Sequence, residues 1–198
     1  MAPVAKILLY LPPYGPPATA FPPEWGRVGR EGVVVEFSIG ANVWVGNFRP
    51  GVGDLQFAGS HPNGQDIVII ANGDLWIVNP IERRGERVLP ALDAIWALEN
   101  QGGWLMSRQG LALARLGQNG LVWHTRRLSW DGFDQITVVH NEVRGLGWSA
   151  IDETWQSFVV ELDTGKSTGG AYNWVDTTDW ERLKEEESFR DQRAPTSS

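Results

Sequence analysis

The stretch TRRLSWDGFD, residues 125 to 134, gathers two guanidinium groups, two hydroxyls, an indole and two carboxylates. Such a set serves either a binding site or a corner. In a site the charges and the aromatic platform meet a ligand; in a corner Trp130 is buried and Asp131-Gly132 turns the chain. A second set follows with Trp148, Asp152, Glu153 and Trp155. Indoles beside carboxylates stack on sugars or anchor in a protein partner. The candidate binding residues are therefore Arg126, Arg127, Trp130, Asp131, Trp148, Asp152 and Trp155, expected to share one loop-lined rim. The corner is the competing reading, with Trp130 and Trp148 plugging the space between sheets.

Catalytic readings have less support in the residue types. Asp131, Asp134, Asp152, Glu153 and Asp163 could supply the two carboxyl groups of a glycosidase, which must face each other about 5–9 Å apart. Acids scattered over the turns of a strand-rich chain need no such role. His61, His124 and His140 fall in separate turns and strands, and no Gly-x-Ser-x-Gly elbow accompanies them. Their spacing suggests no shared metal. Phosphate-loop, dinucleotide-binding and calcium-loop patterns are missing as well. No catalytic residue, metal or cofactor is expected, and an unrecognised hydrolase is a third reading only.

The elements that must position these residues follow from composition and punctuation. At 198 residues the chain suits one domain with tails. A formal charge of -7 opposes a nucleic-acid partner, because phosphate binding needs a concentrated basic face and the largest basic clusters are Arg83-Arg84 and Arg126-Arg127. With no cysteine, disulfides and thiolate chemistry are excluded, and a reducing cytoplasm is the expected location. The apolar run ILLYL, residues 7 to 11, is too short to cross a membrane and stops at Pro12-Pro13. Eleven tryptophans are the compositional oddity, and about eight are expected in the core.

Residues 1–31 read as a proline-rich N-terminal strap. Six prolines between Leu11 and Gly26 withhold donors, so neither a helix nor a central strand can run through that part. Tyr14, Phe21 and Trp25 are expected to dock it on the domain, although a Pro-aromatic segment is also a ligand for proline-reading modules. Residues 32–176 alternate with a period of two. VVVEFSI and NVWVGNF are consecutive strands around Gly40-Ala41, and Asn72-Gly73 between two apolar strands is a hairpin signal. Asn63-Gly64, Asn119-Gly120, Asp131-Gly132 and Thr164-Gly165 punctuate the chain in the same way.

These hairpins form repeats of about 40 residues, aligned on Phe57, Ile95 and Ile136, which is the length of a four-stranded propeller blade. The expected fold is all-β, an antiparallel meander with propeller-like repeats. The alternative is an open meander that forms a barrel or two packed sheets. Three repeats plus the strands near 33 to 48 fall short of four blades unless the N-terminal strands, helped by GGAYNWV near the end, complete one. Residues 177–198 predict a short helix through Trp180 and Leu183, capped by Thr178 or Asp179, and then a disordered tail.

The order of RLSWDG (127 to 132), RGLGWSAIDETWQSFVVELDTG (144 to 165) and GGAY (169 to 172) resembles a family of bacterial β-rich hypothetical proteins. WVGNFRPG (44 to 51) and HPNGQDIVIIANGDLWIVNP (61 to 80) extend the resemblance. It implies a bacterial cytoplasmic β protein and brings no activity, cofactor or catalytic residue with it. The functional expectation is a non-catalytic binding protein, a protein-interaction module of the inhibitor or immunity type. Carbohydrate binding through exposed Trp and Asp is the alternative. The expected partner is a protein, with a sugar as the second choice; neither nucleic acid nor membrane is expected, and homodimers through sheet edges are open.

Overall fold

The computed structural model describes residues 3–99 and 102–172. Within them the chain is all-β and forms four four-stranded sheets. Sheet I takes β1 (Val4–Leu8), β2 (Thr19–Phe21), β3 (Val33–Ile39) and β4 (Asn42–Phe48) in the order β1-β3-β4-β2, with β2 parallel to β4. Sheet II is the antiparallel meander β5 (Phe57–Ser60), β6 (Ile67–Ala71), β7 (Asp74–Asn79) and β8 (Arg84–Leu89). Sheet III repeats it with β9 (Leu92–Ala97), β10 (Trp104–Arg108), β11 (Ala112–Gly117) and β12 (Gly120–His124). Sheet IV does so again with β13 (Phe133–Val139), β14 (Glu142–Ser149), β15 (Thr154–Glu161) and β16 (Ser167–Gly169).

Phe57, Ile95 and Ile136 all lie on the first strand of their sheets, so the 40-residue period marks real units. Among the described residues the fourth unit is completed by the N-terminal segment. There the strap differs from its expectation: residues 4–8 and 19–21 are the two edge strands of sheet I, and a 3-10 turn spans Pro23–Val28. The prolines of the strap fall outside those two strands, as their missing donors require. Phe21 does dock, at 3% exposure, whereas Tyr14 is 91% exposed and docks on nothing. The expected helix at Trp180 and the tail after it lie outside the described residues. No helix of the described residues is long and apolar enough to cross a membrane.

Turn chemistry sets the register. Asn72 and Gly73 have φ of 49° and 88°, the left-handed pair that a two-residue hairpin between β6 and β7 needs. Asp131-Gly132 is different: it belongs to the crossing from sheet III to sheet IV and closes no hairpin. Strand directions then give the molecule two ends. The linker end carries the inter-sheet connections 49–56, 90–91 and 125–132 together with the tight turns at 72–73 and 150–153. The far end carries the hairpin turns at 61–66, 80–83, 118–119 and 162–166.

Sheets pack in sequence order. Val35, Phe37, Trp44 and Phe48 of sheet I meet Ile67, Ile69, Trp76 and Val78 of sheet II. Val68, Ile70 and Leu75 on the opposite face of sheet II meet Met106, Ala114 and Leu116 of sheet III. Leu105, Leu113 and Trp123 of sheet III meet Val143, Phe158 and Val160 of sheet IV. Among the described residues no apolar cluster joins sheet IV back to sheet I.

One tryptophan bolts each junction. The indole N–H of Trp44 donates to Pro80 O at 3.0 Å, that of Trp104 to Ser60 O at 3.2 Å, and that of Trp123 to Leu162 O at 2.7 Å. Each bond crosses between neighbouring sheets, so the ring fills the junction while its one polar atom is satisfied. Gly165 lies against Trp123, with φ of 71° and room for no Cβ beside the indole. Of the nine described tryptophans only Trp44, Trp76 and Trp123 are fully buried, fewer than the composition suggested; Trp25, Trp96, Trp104, Trp130 and Trp148 are half-buried.

Trp123→Ala is expected to cost about 3–5 kcal/mol, because it empties the junction of sheets III and IV. Trp155→Ala, on a solvent-facing position, is expected to change stability by less than about 1 kcal/mol. Urea unfolding midpoints at unchanged m-value measure both.

Candidate functional site

All seven candidate residues lie at the linker end of sheets III and IV, but they divide into two groups with different work. The first group builds the corner. Trp130 N–H donates to Trp148 O at 2.8 Å, and the buried Ser129 hydroxyl accepts the N–H groups of Trp148 at 2.9 Å and Asp131 at 3.2 Å. These bonds extend the ladder of β14 into the linker and fix the entry to β13. Arg127 then folds back: its Nε donates to Ser129 O at 2.8 Å, and its guanidinium lies 4.9 Å from the Trp130 ring and 4.6 Å from that of Tyr172. Trp130 gives its indole N–H to Ala171 O at 3.2 Å, and Arg126 donates to Gly169 O at 2.8 Å and to Tyr172 O.

Arg126, Arg127 and Trp130 therefore clamp residues 169–172 against the corner. Each of the three is engaged inside the chain, and of residues 125–134 only Asp131 and Asp134 are exposed.

The second group faces outward. Along β14, Val143, Gly145, Gly147 and Ser149 are buried toward sheet III, so alternation sends Arg144, Leu146 and Trp148 to the other face. The register sets Trp155 of β15 directly opposite Trp148, and the two rings meet edge to face at 5.3 Å. Trp155 is 41% exposed, and Ile151 at the tip of the hairpin is 70% exposed. No apolar cluster of the described residues covers this face. The exposed acids Asp131, Asp134, Asp152 and Glu153 lie at the same end of sheet IV, with Asp152 held in the tip by the Ser149 hydroxyl at 2.8 Å. Sequence reasoning found the indoles and acids, and missed Ile151, whose exposure depends on the tip conformation.

A further concave feature has no counterpart among the candidate residues. At the far end, sheets II and III part into a cleft of about 660 Å3, lined by His61 and Asp66 on one side and by Gln118 and Asn119 on the other. His61 is a turn residue, as its Pro62-Asn63-Gly64 context suggested, and it is 3% exposed. Its Nδ1 accepts the Asn63 N–H at 3.2 Å. Burial pushes this imidazole below its ordinary pKa, although Asn63 and the charge of Asp66 pull upward. Asp163, the remaining acid considered for catalysis, lies at the far end, 3.6 Å from Arg115 and apart from the others.

Among the described residues no group of three or more His, Asp or Glu is arranged to hold a metal ion. The pKa of His124, at the end of β12, is lowered to about 4 by burial and by the charge of Arg108, against a raising hydrogen bond to the Thr125 backbone. No protein-family model matches the chain, and no curated protein matches it. The bacterial resemblance therefore gains no activity from either comparison.

Arg127→Ala is expected to lower stability by about 2 kcal/mol and to raise hydrogen exchange at residues 169–172, since charge-assisted bonds and a cation–π contact are lost together. The two lowered imidazoles also set a pH dependence. Unfolded, both histidines titrate near their ordinary 6.5; folded, they stay neutral to lower pH, His124 down to about 4. Between these values the unfolded chain binds more protons, so stability falls as pH is lowered through that window. Urea unfolding at pH 7 and 5 is expected to show the loss, and His124→Gln to reduce it.

Proposed function

We propose that this chain is a non-catalytic binding module, a propeller-like array of four blades that occludes a basic surface of a protein partner through the linker end of sheet IV. The observation that carries this reading is the Trp148–Trp155 pair, set on a sheet face that no apolar cluster of the described residues covers, with Ile151 at the hairpin tip and four exposed acids at the same end. Aromatic side chains of this size dominate interface energetics when a partner removes them from water. The acid ring adds steering toward a positively charged partner and raises the rate of encounter.

Charge also argues for a different molecule as the partner. Two copies meeting through this face would bring their acid rings together, and like charges in an interface are costly. An inhibitor or immunity-type role fits a module that acts by covering a surface. The cysteine-free composition suits a reducing cytoplasm. Sugar stacking on Trp130 has less support, because its indole N–H goes to Ala171 and its ring lies between Arg127 and Tyr172.

The test uses the full chain as bait in lysate of the source organism, beside Trp155→Ala and the double variant Asp152→Lys, Glu153→Lys. The reading expects a basic protein retained by the wild type. Trp155→Ala is expected to weaken the purified pair about thirtyfold, the loss of a hot-spot residue. The double variant is expected to slow association and to flatten its dependence on salt. An acidic protein, equal retention by all three baits, or no retained protein overturns it.

A further inference from the structure

The connection between β1 and β2 is longer than its route requires. In the order β1-β3-β4-β2 the two strands stand three spacings apart, about 15 Å. Leu8 pairs with Val34, and Thr19 pairs through Gly46 with Val35, so the ends of the connection lie at nearly the same level of the sheet. About five extended residues cross that distance, whereas residues 9–18 are available for it. The surplus carries large apolar side chains outward. Leu9, Tyr10 and Tyr14 are 95, 65 and 91% exposed, and Pro12, Pro13, Pro16 and Pro17 are exposed with them. On its inner side the loop, through Leu11 and Pro16, forms one wall of a cleft of about 470 Å3 opposite Arg30 and Asn47.

The backbone of the loop narrows what can recognise it. Proline fixes its own φ and keeps the residue before it out of the helical region, which holds Leu11, Pro12 and Pro13 in the extended, polyproline II range. Gly15, with φ of 115°, then bends the chain and separates this run from Pro16-Pro17. Prolines carry no N–H, and among the described residues no backbone hydrogen bond outside the strand ladders starts or ends on residues 9–18. The carbonyls of the loop are therefore open to a donor. None of residues 9–18 is charged. A complementary surface offers flat apolar faces to the proline rings, donors to the carbonyls, and no need of charge. Grooves lined by Trp and Tyr meet all three conditions, because their rings pack on proline while indole N–H and phenol O–H groups donate. Both ends of the loop are held in strands of sheet I, and the prolines order its middle, so little conformational freedom is lost on binding.

We propose that the β1–β2 loop is the ligand of a proline-reading protein module, an aromatic-lined groove that takes Leu11-Pro12-Pro13-Tyr14 with Tyr14 as the anchoring side chain. This surface belongs to sheet I and goes beyond the Trp148–Trp155 face of sheet IV. The two are separable by charge, since the loop is neutral and the other face has acids at its end.

The test is a titration of the full ¹⁵N-labelled chain with purified WW, SH3 and EVH1 domains, beside sedimentation with phosphatidylcholine vesicles. At least one domain is expected to shift the amides of Leu11, Tyr14 and Gly15 saturably, with a Kd below about 1 mM. Tyr14→Ala and Pro13→Ala, both at exposed positions that leave the fold intact, are expected to weaken that binding by about tenfold, whereas Trp155→Ala leaves it unchanged. Raising the salt from about 0.05 to about 0.5 M is expected to change the affinity by less than about threefold, because the loop brings no charge to the contact. Failure of all three domains up to about 1 mM overturns the proposal. So do equal binding by Tyr14→Ala, shifts confined to Trp148 and Trp155, or vesicle binding in place of domain binding, which makes the loop a lipid contact.

Discussion

The fold depends on one strand being apolar on both sides. All five residues of β6, Ile67 to Ala71, are fully buried, and alternation divides them between two junctions. Ile67, Ile69 and Ala71 face sheet I, while Val68 and Ile70 face sheet III. A strand of this kind has no solvent side, so sheet II is stable only when both of its faces are covered. The stacking of sheet I on one side and sheet III on the other follows from that requirement. Sheet III inherits the same condition, with Met106 and Ala114 toward sheet II and Leu105 and Leu113 toward sheet IV. Among the described residues only sheets I and IV have a face left over, and the surface proposed for binding at the linker end lies on sheet IV.

The high tryptophan content belongs to the same constraint. Sheets of four short strands leave gaps at their junctions that aliphatic side chains fill poorly, and the indole fills them while its N–H reaches a carbonyl of the neighbouring sheet. Trp44, Trp104 and Trp123 do this at the three junctions in turn. Trp130 repeats the device within the corner. Trp148 and Trp155 differ: their rings meet edge to face, and no apolar cluster of the described residues packs on their face.

Much of this was legible from local pattern. β3 and β4 begin and end where VVVEFSI and NVWVGNF do, and Asn72-Gly73 closes the hairpin its chemistry demands, because turn geometry and alternation are properties of neighbouring residues. The fourth sheet was not, since β2 joins the edge of β4 in parallel and proline density hid a three-residue strand. The roles of Arg126 and Arg127 were equally hidden. Guanidinium groups read as binding residues until the carbonyls of Gly169 and Tyr172, some forty positions away, are seen to take up Arg126 and those of Ser129 and Trp130 to take up Arg127. His61 and Asp66 reveal nothing in sequence, because the cleft they line is closed by a turn of the next sheet.

Edges and faces offer different routes to association, and six of the eight edges are poor templates. β2 and β16 have three residues each, and the ladders onto β8, β9, β12 and β13 all carry register shifts. Short or bulged edges present too few aligned N–H and C=O groups for another strand to add. The outer face of sheet IV carries no such protection at its linker end. Its exposed indole and isoleucine are covered by no apolar cluster of the described residues, with acids at the same end in place of the lysines that blunt an exposed strand. On the proposed reading, an open aromatic face beside mostly guarded edges suits side-chain recognition, and the charge at that end selects the sign of what it meets.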